Sequence, residues 1–385
     1  MTDFRSLGVS DAVATSLDSR GISSAFPIQE LTIPDALAGR DVCGKAKTGS
    51  GKTLAFGIPA LERLGKAVPG KPLGLALVPT RELANQVCDE LAPLGKELDR
   101  TAVAIYGGAP IEKQIAQINK GVDLVVATPG RMIDLIERKE IDVSAIEIVI
   151  VDEADRMADM GFLPQLEWIL RQIDTSHQTL LFSATLDGAV NTLIKRYQSD
   201  PVMHEVESKE VTVDEMLHRF IAVHQMDKPK VAAAISRGGN RTIMFTRTKH
   251  MADRLAIALD DEGVRAAAIH GDLRQRNRER ALADFADGKL SVMVATDVAA
   301  RGIHVDEVDI VIHYDPPSDH KTYLHRSGRT ARAGQSGIVA TLVMYNEELE
   351  VKRLQKRIEV VQPIIEMFSN DPRLADLSSY DPNEA

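Results

Sequence analysis

A glycine-rich stretch near the start of the chain has the sequence Ala46-Lys47-Thr48-Gly49-Ser50-Gly51-Lys52-Thr53. It follows the turn-rich residues 38–41 and precedes an apolar pattern of helical period. The glycines would let backbone N–H groups approach phosphate oxygens, Lys52 would reach the β- and γ-phosphates, and Thr53 would hold Mg²⁺. The stretch predicts a phosphate-binding loop with Ala46 in its first glycine position. The alternative is a glycine-rich turn that only opens a helix.

Short apolar runs alternate with helical patterns along the rest of the chain. The runs lie at residues 73–78, 122–127, 146–151, 179–182, 242–245, 264–269, 291–295 and 308–312. Strands that are buried on both faces have such continuous apolar sequences. Their alternation with helical segments such as 81–94 and 249–262 predicts an α/β fold of two tandem domains, each a mainly parallel sheet flanked by helices.

Composition limits the class of protein. The chain has 385 residues with 46 Lys and Arg against 56 Asp and Glu, a net charge of −10, so any nucleic-acid site must be local. Cys43 and Cys88 are its two cysteines and have no paired or metal-ligand spacing, so we expect neither disulfides nor zinc. The sequence has no membrane span or secretory signal, and we expect a cytoplasmic protein.

The domain boundaries follow from changes in pattern. Between residues 200 and 220 the chain is charged and lacks a clear period, which is typical of a connection between domains. We therefore expect a first domain at residues 1–206, a linker at 207–216 and a second domain at 217–365. Residues 366–385 are mostly acidic among their charged positions and are expected to form a short tail.

Two acidic residues follow the buried run at 146–151. Asp152 would lie at the carboxyl end of a strand, where open α/β sheets bind ligands, and its natural role there is to hold Mg²⁺. Glu153 could then orient or deprotonate the attacking water, because phosphoryl transfer depends on positioning and charge neutralisation. The alternative is an acidic helix start, which the helix dipole favours.

A basic segment at residues 325–332 lies in the second half of the chain. Arg329 and Arg332 are three residues apart and would share one side of a helical turn. Guanidinium groups supplied from the other domain could stabilise γ-phosphate charge when the domains close. The alternative is a solvated basic turn.

These residues, in this order, resemble the DEAD-box family of ATP-dependent RNA helicases, which is named for the tetrapeptide Asp152-Glu153-Ala154-Asp155. The resemblance extends over roughly residues 4–344 and is most like compact bacterial members. It includes the segments 79–86, 107–108, 128–131, 183–185 and 295–302, together with Phe245, Gln275 and Arg278.

The resemblance implies two RecA-like domains with the nucleotide cleft between them. It implies ATP and Mg²⁺ as cofactors and RNA as a partner that is bound largely independently of sequence. The implied activity is RNA-stimulated ATP hydrolysis, coupled to domain closure, bending of one RNA strand and local unwinding of short duplexes. Lys52, Asp152, Glu153, Arg329 and Arg332 would form the catalytic set.

By the same resemblance, Phe4 stacks on adenine and Gln29 hydrogen-bonds its edge. Phe4 lies 17 residues before Gly21, which is the family spacing. A planar ring supplies stacking and an amide supplies both a donor and an acceptor, so this pairing would select adenine. Gly302 would let the backbone approach the nucleotide closely.

The resemblance also assigns residues to RNA and to communication between the domains. Those that would contact the sugar-phosphate backbone are Arg81, Gly108, Thr128, Arg131, Thr246, Arg278 and Thr296. Those that would couple the domains are Ser183, Thr185, Asp297 and Arg301. Taken singly, Arg81 and Arg131 could instead form ordinary ion pairs.

One departure from the family concerns the ribose. His304 stands where the family usually has aspartate, so we expect that contact to be weakened or replaced. The sequence also leaves two rival functions open, a DNA-directed helicase of the same superfamily and a non-catalytic RNA clamp. We expect a monomer that works with ribosome-assembly or RNA-decay proteins.

Overall fold

The computed structural model of the chain describes residues 2–47, 49–173, 176–186, 188–206, 216–300, 308–330 and 337–382. Contacts between residues divide the chain into two compact units, Met1–Ser208 and Lys209–Ala385. Each unit has its own sheet and its own hydrophobic core. No helix in these described ranges is long and apolar enough to cross a membrane.

The first unit contains a seven-stranded sheet. Its strands are β1 (Val42–Lys45), β2 (Gly74–Leu77), β3 (Ala102–Ile105), β4 (Leu124–Ala127), β5 (Ile148–Asp152), β6 (Gln178–Ser183) and β7 (Val202–Glu205). The spatial order is β3-β4-β2-β5-β6-β1-β7, and neighbouring strands are parallel. Parallel neighbours need crossover connections, which the helices of this unit supply.

Helices pack on both faces of this sheet. They are α1 (Asp11–Ser19), α2 (Pro27–Leu37), α3 (Lys52–Arg63), α4 (Arg81–Glu97), α5 (Ile111–Ile118), α6 (Pro129–Glu137), α7 (Ala154–Asp159), α8 (Leu163–Leu170) and α9 (Gly188–Tyr197). Along β5, Ile148 and Ile150 belong to one core cluster, whereas Val149 and Val151 belong to the other. Because successive strand residues point to opposite faces, both faces of β5 are buried, which explains its continuous apolar sequence.

The second unit also contains a seven-stranded parallel sheet. Its strands are β8 (Met216–Ala222), β9 (Thr242–Thr246), β10 (Ala266–Ile269), β11 (Val292–Thr296), β12 (Ile310–His313), β13 (Gly337–Val343) and β14 (Ile364–Glu366). Its helices are α10 (Lys228–Ser236), α11 (Lys249–Asp261), α12 (Gln275–Ala286), α13 (Asp297–Ala300), α14 (His320–Ser327) and α15 (Glu348–Arg357). Both units are therefore α/β with parallel sheets, and the predicted fold class is confirmed.

The two sheets share one topology. The order in the second unit is β10-β11-β9-β12-β13-β8-β14. If β8 is counted as the first strand of this unit, the spatial order is third, fourth, second, fifth, sixth, first and seventh. The strands of the first unit have the same spatial order. Equivalent strand ends in the two units can therefore be compared directly.

Several strands lack a sequence pattern that predicts them, and β8 shows the reason. It carries His218 and Arg219, which are both buried. His218 Nδ1 lies 2.7 Å from the Tyr323 hydroxyl, and Arg219 binds carbonyl oxygens near the end of the chain. Because these partners lie more than 100 positions away, the local sequence looks polar although the strand is internal. The expected linker lies outside the described residues except for Met216, which begins β8.

The segment after residue 365, for which the sequence predicts a short acidic tail, packs against the second unit. Met367, Leu374 and Leu377 are buried in the core of that unit. Arg219 Nε donates to the Leu377 carbonyl oxygen at 3.0 Å, and its Nη2 donates to the Tyr380 carbonyl oxygen at 2.8 Å. The sequence did not predict this packing, because the two buried leucines stand among acidic residues.

We expect Leu374→Ala to destabilise the second unit by about 2–5 kcal/mol, because it removes a fully buried side chain and leaves a cavity. Leu349→Ala is the matched control, since Leu349 is 72% exposed while Leu374 is 1% exposed. Urea unfolding followed by circular dichroism measures both changes. Equal stability of the two variants would mean that the segment after 365 does not contribute to the core.

Candidate active site

The predicted phosphate-binding loop connects β1 to α3. Gly49 and Gly51 both have a left-handed backbone, with φ of 84° and 83°, which favours glycine at these positions. The Ser50 hydroxyl donates to the Lys47 carbonyl oxygen at 2.7 Å and tightens the turn. Gly51 immediately precedes α3, so the first N–H groups of that helix face the loop. The arrangement can accept a phosphate. Thr48, which belongs to the predicted loop, lies outside the described residues.

Lys52 and Asp152 form a buried pair behind this loop. Lys52 is 6% exposed, its Nζ donates to the Ala46 carbonyl oxygen at 3.1 Å, and it lies 4.0 Å from Asp152 Oδ1. Burial raises the pKa of the Asp152 carboxyl to about 6, although the Lys52 ammonium lowers it. The sheet thus brings together a buried cation and a buried carboxylate that are 100 positions apart in the sequence.

Glu153 is held in a strained position directly after β5. Its backbone is left-handed, with φ of 54°, which costs energy for a residue other than glycine. Its N–H donates to Asp152 Oδ1 at 2.9 Å, and its Oε2 accepts a hydrogen bond from Arg156 Nη1 at 2.6 Å. Arg156 is a positioning residue that sequence reasoning missed. The signal was present, because Arg156 lies three residues after Glu153 on a helical turn.

Ser183 connects two parts of this site. Its hydroxyl accepts a hydrogen bond from the Asp155 N–H at 3.2 Å, and its carbonyl oxygen accepts one from the Ala46 N–H at 3.0 Å. One residue at the end of β6 therefore contacts both the acidic segment and the phosphate-binding loop. Thr185, which was predicted with it, is exposed.

Gln29 packs against the phosphate-binding loop from the first turn of α2. Its Nε2 donates to the Gly51 carbonyl oxygen at 2.9 Å, and its Oε1 accepts from the Phe26 N–H at 2.8 Å. An amide has two donors and two acceptor positions, so one of each remains for a base. Gln29 therefore lies beside the predicted phosphate-binding loop, and its contact with adenine stays a prediction.

The ring of Phe4, which the resemblance assigns to adenine, is buried. Its side chain is 1% exposed and belongs to the hydrophobic core of the first unit. Stacking requires an open ring face, which Phe4 does not have in this arrangement, and its assignment to adenine stays a prediction. The correct spacing to Gly21 could not reveal this, because burial depends on α1 and α2 rather than on the distance along the chain.

The predicted RNA residues of the first unit converge at three strand ends. Arg81 follows β2, Gly108 follows β3, and Thr128 with Arg131 follow β4. A Cβ atom on Gly108 would lie 2.4 Å from Arg81 Nη1, so glycine is what lets Arg81 approach the turn. Arg131 Nη1 donates to Gln114 Oε1 at 2.7 Å, and the guanidinium also binds the Ala109 carbonyl oxygen. The two arginines therefore flank one turn.

The predicted RNA residues of the second unit lie at the ends of β9 and β11 and on α12. Arg278 Nη2 donates to the Ala299 carbonyl oxygen at 3.0 Å, and Thr296 is the last residue of β11. Thr246 is fully buried and its hydroxyl donates to the Thr248 carbonyl oxygen at 3.2 Å, and its assignment to RNA stays a prediction. Thr248 is exposed and supplies the hydroxyl at this strand end.

Asp297 forms a bidentate pair with Arg326 inside the second unit. The Arg326 Nε and Nη2 atoms lie 2.6 and 2.8 Å from the two carboxylate oxygens, and Nη1 donates to the Asp315 carbonyl oxygen at 2.7 Å. Arg326 is 4% exposed and fixes the end of α14, from which the chain continues to Arg329. Sequence reasoning missed this role. Arg301, Gly302, His304 and Arg332 lie outside the described residues.

The second unit repeats the buried lysine and aspartate pair. Lys228 is the first residue of α10, as Lys52 is of α3, and its Nζ lies 3.6 Å from Asp315 Oδ1 at the end of the equivalent fifth strand. Burial lowers the pKa of Lys228, and Asp315 opposes that shift. The preceding residues contain no glycine-rich loop, and Asp227 accepts two hydrogen bonds of 2.7 Å from Ser369. The pair is retained here without a phosphate-binding loop.

Comparison with known proteins agrees with this geometry. The DEAD/DEAH box helicase family matches residues 26–193, and the helicase conserved C-terminal domain matches residues 227–334. The DEAD-box ATP-dependent RNA helicase CshA of Bacillus cereus is 41% identical over 92% of this chain and 68% of that protein. A mitochondrial DEAD-box ATP-dependent RNA helicase of Arabidopsis thaliana is 40% identical over 91% of this chain and 59% of that protein.

Solved structures give the same result. Dbp5 of S. cerevisiae bound to RNA and ADP BeF3 is similar, with a TM-score of 0.81 and 30% identity over 96% of this chain and 97% of that chain. Each of the two sheets described above therefore belongs to a RecA-like domain, and the resemblance seen in the sequence is confirmed. The chain belongs to the family of DEAD-box ATP-dependent RNA helicases.

Proposed function

We propose that this ATP-dependent RNA helicase uses one edge of its first sheet for both ligands, with each ligand on its own half. One observation carries the proposal. The residues assigned to RNA follow β3, β4 and β2, whereas the residues at the ends of β5, β6 and β1 are those assigned to ATP and Mg²⁺ together with the coupling residue Ser183, which ends β6 and contacts the phosphate-binding loop. In the spatial order of the strands these are two uninterrupted groups of three that meet between β2 and β5. Open α/β sheets bind ligands at this edge.

On the ATP half, the loop at residues 46–53 and Lys52 would bind the phosphates. Glu153 would orient the attacking water and accept its proton, while Arg156 keeps the carboxylate in place. Gln29 would bind the adenine edge, and its hydrogen bond to Gly51 links recognition of the base to the phosphate loop. Catalysis would then rest on positioning and charge, as phosphoryl transfer requires.

Thr53 and Asp152 fit a magnesium ion. They offer a hydroxyl and a carboxylate oxygen, which are hard ligands of the kind that Mg²⁺ prefers. The described residues contain no cluster of three or more His, Cys, Asp or Glu side chains that could hold a metal alone. Mg²⁺ is usually bound by one or two protein carboxylates together with substrate phosphates, which agrees with this sparse set. When bound, it would neutralise developing charge on the phosphates.

On the RNA half, Arg81, Gly108, Thr128 and Arg131 would contact the sugar-phosphate backbone. Such contacts position a strand without reading its sequence. The structure of the S. cerevisiae relative that is bound to RNA supports RNA as the ligand. In the second unit, Arg278, Thr296 and Thr248 would contribute further contacts.

The second unit would complete the chemistry. We propose that Arg329 and Arg332 approach the phosphates when ATP and RNA are both bound, so that hydrolysis accompanies closure, strand bending and local unwinding. We also propose a cytoplasmic monomer that works with ribosome-assembly or RNA-decay proteins. The two cysteines are free, which supports a reducing compartment.

Steady-state ATP hydrolysis with single-stranded RNA, with matched DNA and without nucleic acid tests the function. We expect stimulation by RNA, a weaker effect of DNA, and loss of hydrolysis in Lys52→Ala. Equal stimulation by DNA would favour a general nucleic-acid helicase. RNA binding without hydrolysis would favour a non-catalytic clamp.

A further inference from the structure

Phe26 is an exposed aromatic side chain beside the nucleotide loop. It is 54% exposed, and it is the only exposed Phe, Tyr or Trp among the described residues of the first unit. A single exposed apolar residue needs no explanation by itself, because folded proteins have many. Its surroundings are what make it informative.

The ring lies directly against the phosphate-binding loop. A Cβ atom on Gly51 would be 2.6 Å from Phe26 Cδ2 and 2.4 Å from Gln29 Nε2. The ring edge and the amide therefore lie side by side over the same glycine. The residue that reads adenine in the proposed function thus has an aromatic neighbour with an open surface.

The position of Phe26 is also fixed. Its N–H donates to Gln29 Oε1 at 2.8 Å, and Pro27 follows it. A residue before proline is restricted to extended backbone, and Phe26 has φ of −77° and ψ of 158°. The backbone that carries the ring is therefore ordered before any ligand binds, which lowers the entropy cost of a contact.

The chemistry of the ring selects the part of the nucleotide that it can touch. A phenyl group has no hydrogen-bond donor and a negative face, so it is unsuited to phosphate. It is suited to the planar, apolar surface of a base, and base stacking on aromatic side chains is favourable. Phe4, the other aromatic residue assigned to this task, is buried.

We propose that Phe26 is the aromatic side chain that contacts the adenine ring of the bound nucleotide. This inference rests on the proposed function, because it takes ATP as the ligand and Gln29 as the reader of its edge. The proposed contact with adenine is therefore made by Phe26, and not by Phe4, which was assigned by its spacing to Gly21.

Equilibrium binding of ADP and of inorganic pyrophosphate, both with Mg²⁺, tests the proposal on the full chain. The two probes differ by the adenosine group, so their comparison isolates contacts to the base and sugar. We expect Phe26→Ala to raise the Kd for ADP about ten-fold, which is within the range measured for aromatic stacking. The Kd for pyrophosphate should not change, and Phe26→Trp should keep ADP affinity.

Phe368→Ala is the matched control, because Phe368 is 49% exposed in the other unit and undergoes the same truncation. It should bind ADP like the wild type. In a Trp168→Phe background, the Trp of Phe26→Trp is the only one in the chain, and ADP but not pyrophosphate should quench its fluorescence.

Two results would overturn the proposal. Equal losses of ADP and pyrophosphate affinity in Phe26→Ala would mean that the ring only braces the loop. Unchanged ADP affinity in Phe26→Ala, together with a ten-fold loss in Phe4→Leu, would return the contact to Phe4. Failure of the proposed function would give a different result. The wild type would then bind ADP but would show no RNA-stimulated ATP hydrolysis.

Discussion

Replacing Glu153 by glutamine should lower RNA-stimulated ATP hydrolysis by about 100-fold or more while ATP and RNA still bind. Glutamine keeps the length of the side chain, and its amide oxygen can still accept the hydrogen bond that Arg156 Nη1 makes at 2.6 Å. It cannot accept a proton from water, because its amide is not basic. Steady-state hydrolysis measures the loss, and RNA binding in the presence of ATP shows that assembly is intact.

Glu167→Gln provides the control for this change. Glu167 Oε2 also accepts hydrogen bonds from arginines, at 2.9 Å from Arg171 and 2.8 Å from Arg196, but it lies on α8 away from the strand ends. This variant should hydrolyse ATP like the wild type. Hydrolysis at the wild-type rate in Glu153→Gln would show that another group accepts the proton of the attacking water.

The second large effect is expected for Lys52→Ala, which should abolish hydrolysis and weaken nucleotide binding. Lys52 Nζ is the buried cation that lies between the Ala46 carbonyl oxygen and Asp152. Its loss also leaves Asp152 buried without its counter-ion, which should destabilise the first unit by about 3 kcal/mol. Nucleotide binding, hydrolysis and urea unfolding measure the three effects.

Two further variants separate chemistry from stability. Lys52→Ala combined with Asp152→Asn removes the uncompensated carboxylate, so stability should recover while hydrolysis stays absent. Lys71→Ala removes an exposed lysine that pairs with Asp142 at 2.9 Å, and it should change neither property appreciably. Recovery of hydrolysis in the double variant would contradict the role given to Lys52.

Sequence patterns predicted the parts of the fold whose signal is local. Strands such as β5 are buried on both faces, so their apolar runs are visible without knowledge of their neighbours. The strand β1 is also buried, but it is only four residues long. It contains Gly44, where a Cβ atom would lie 2.5 Å from the Phe182 ring and would therefore clash with it. A contact with a residue 138 positions away produces no periodic pattern in the local sequence, so sequence patterns do not predict this strand.

The candidate site shows the same difference between features with a local sequence signal and features that depend on distant contacts. Lys52, Asp152 and Glu153 could be predicted as site residues because their chemistry is tied to short motifs, and the structure places Lys52 near Asp152. The burial of Phe4 and Thr246 was not foreseen, because spacing and residue type do not reveal burial. Arg156 and Arg326 were missed because their importance comes from the carboxylates that they fix in space.

The shared strand order of the two sheets gives the lysine and aspartate pair equivalent places in both units. In the first unit, the lysine that begins the helix after the first of its strands and the aspartate that ends the fifth lie beside a glycine-rich loop. In the second unit, Lys228 and Asp315 occupy the same places, while Asp227 and Ser369 pair where that loop would be. The same electrostatic element therefore stands beside a glycine-rich loop in one unit and beside a hydrogen-bonded contact with the C-terminal segment in the other, so a buried ion pair of this kind does not by itself predict a phosphate site.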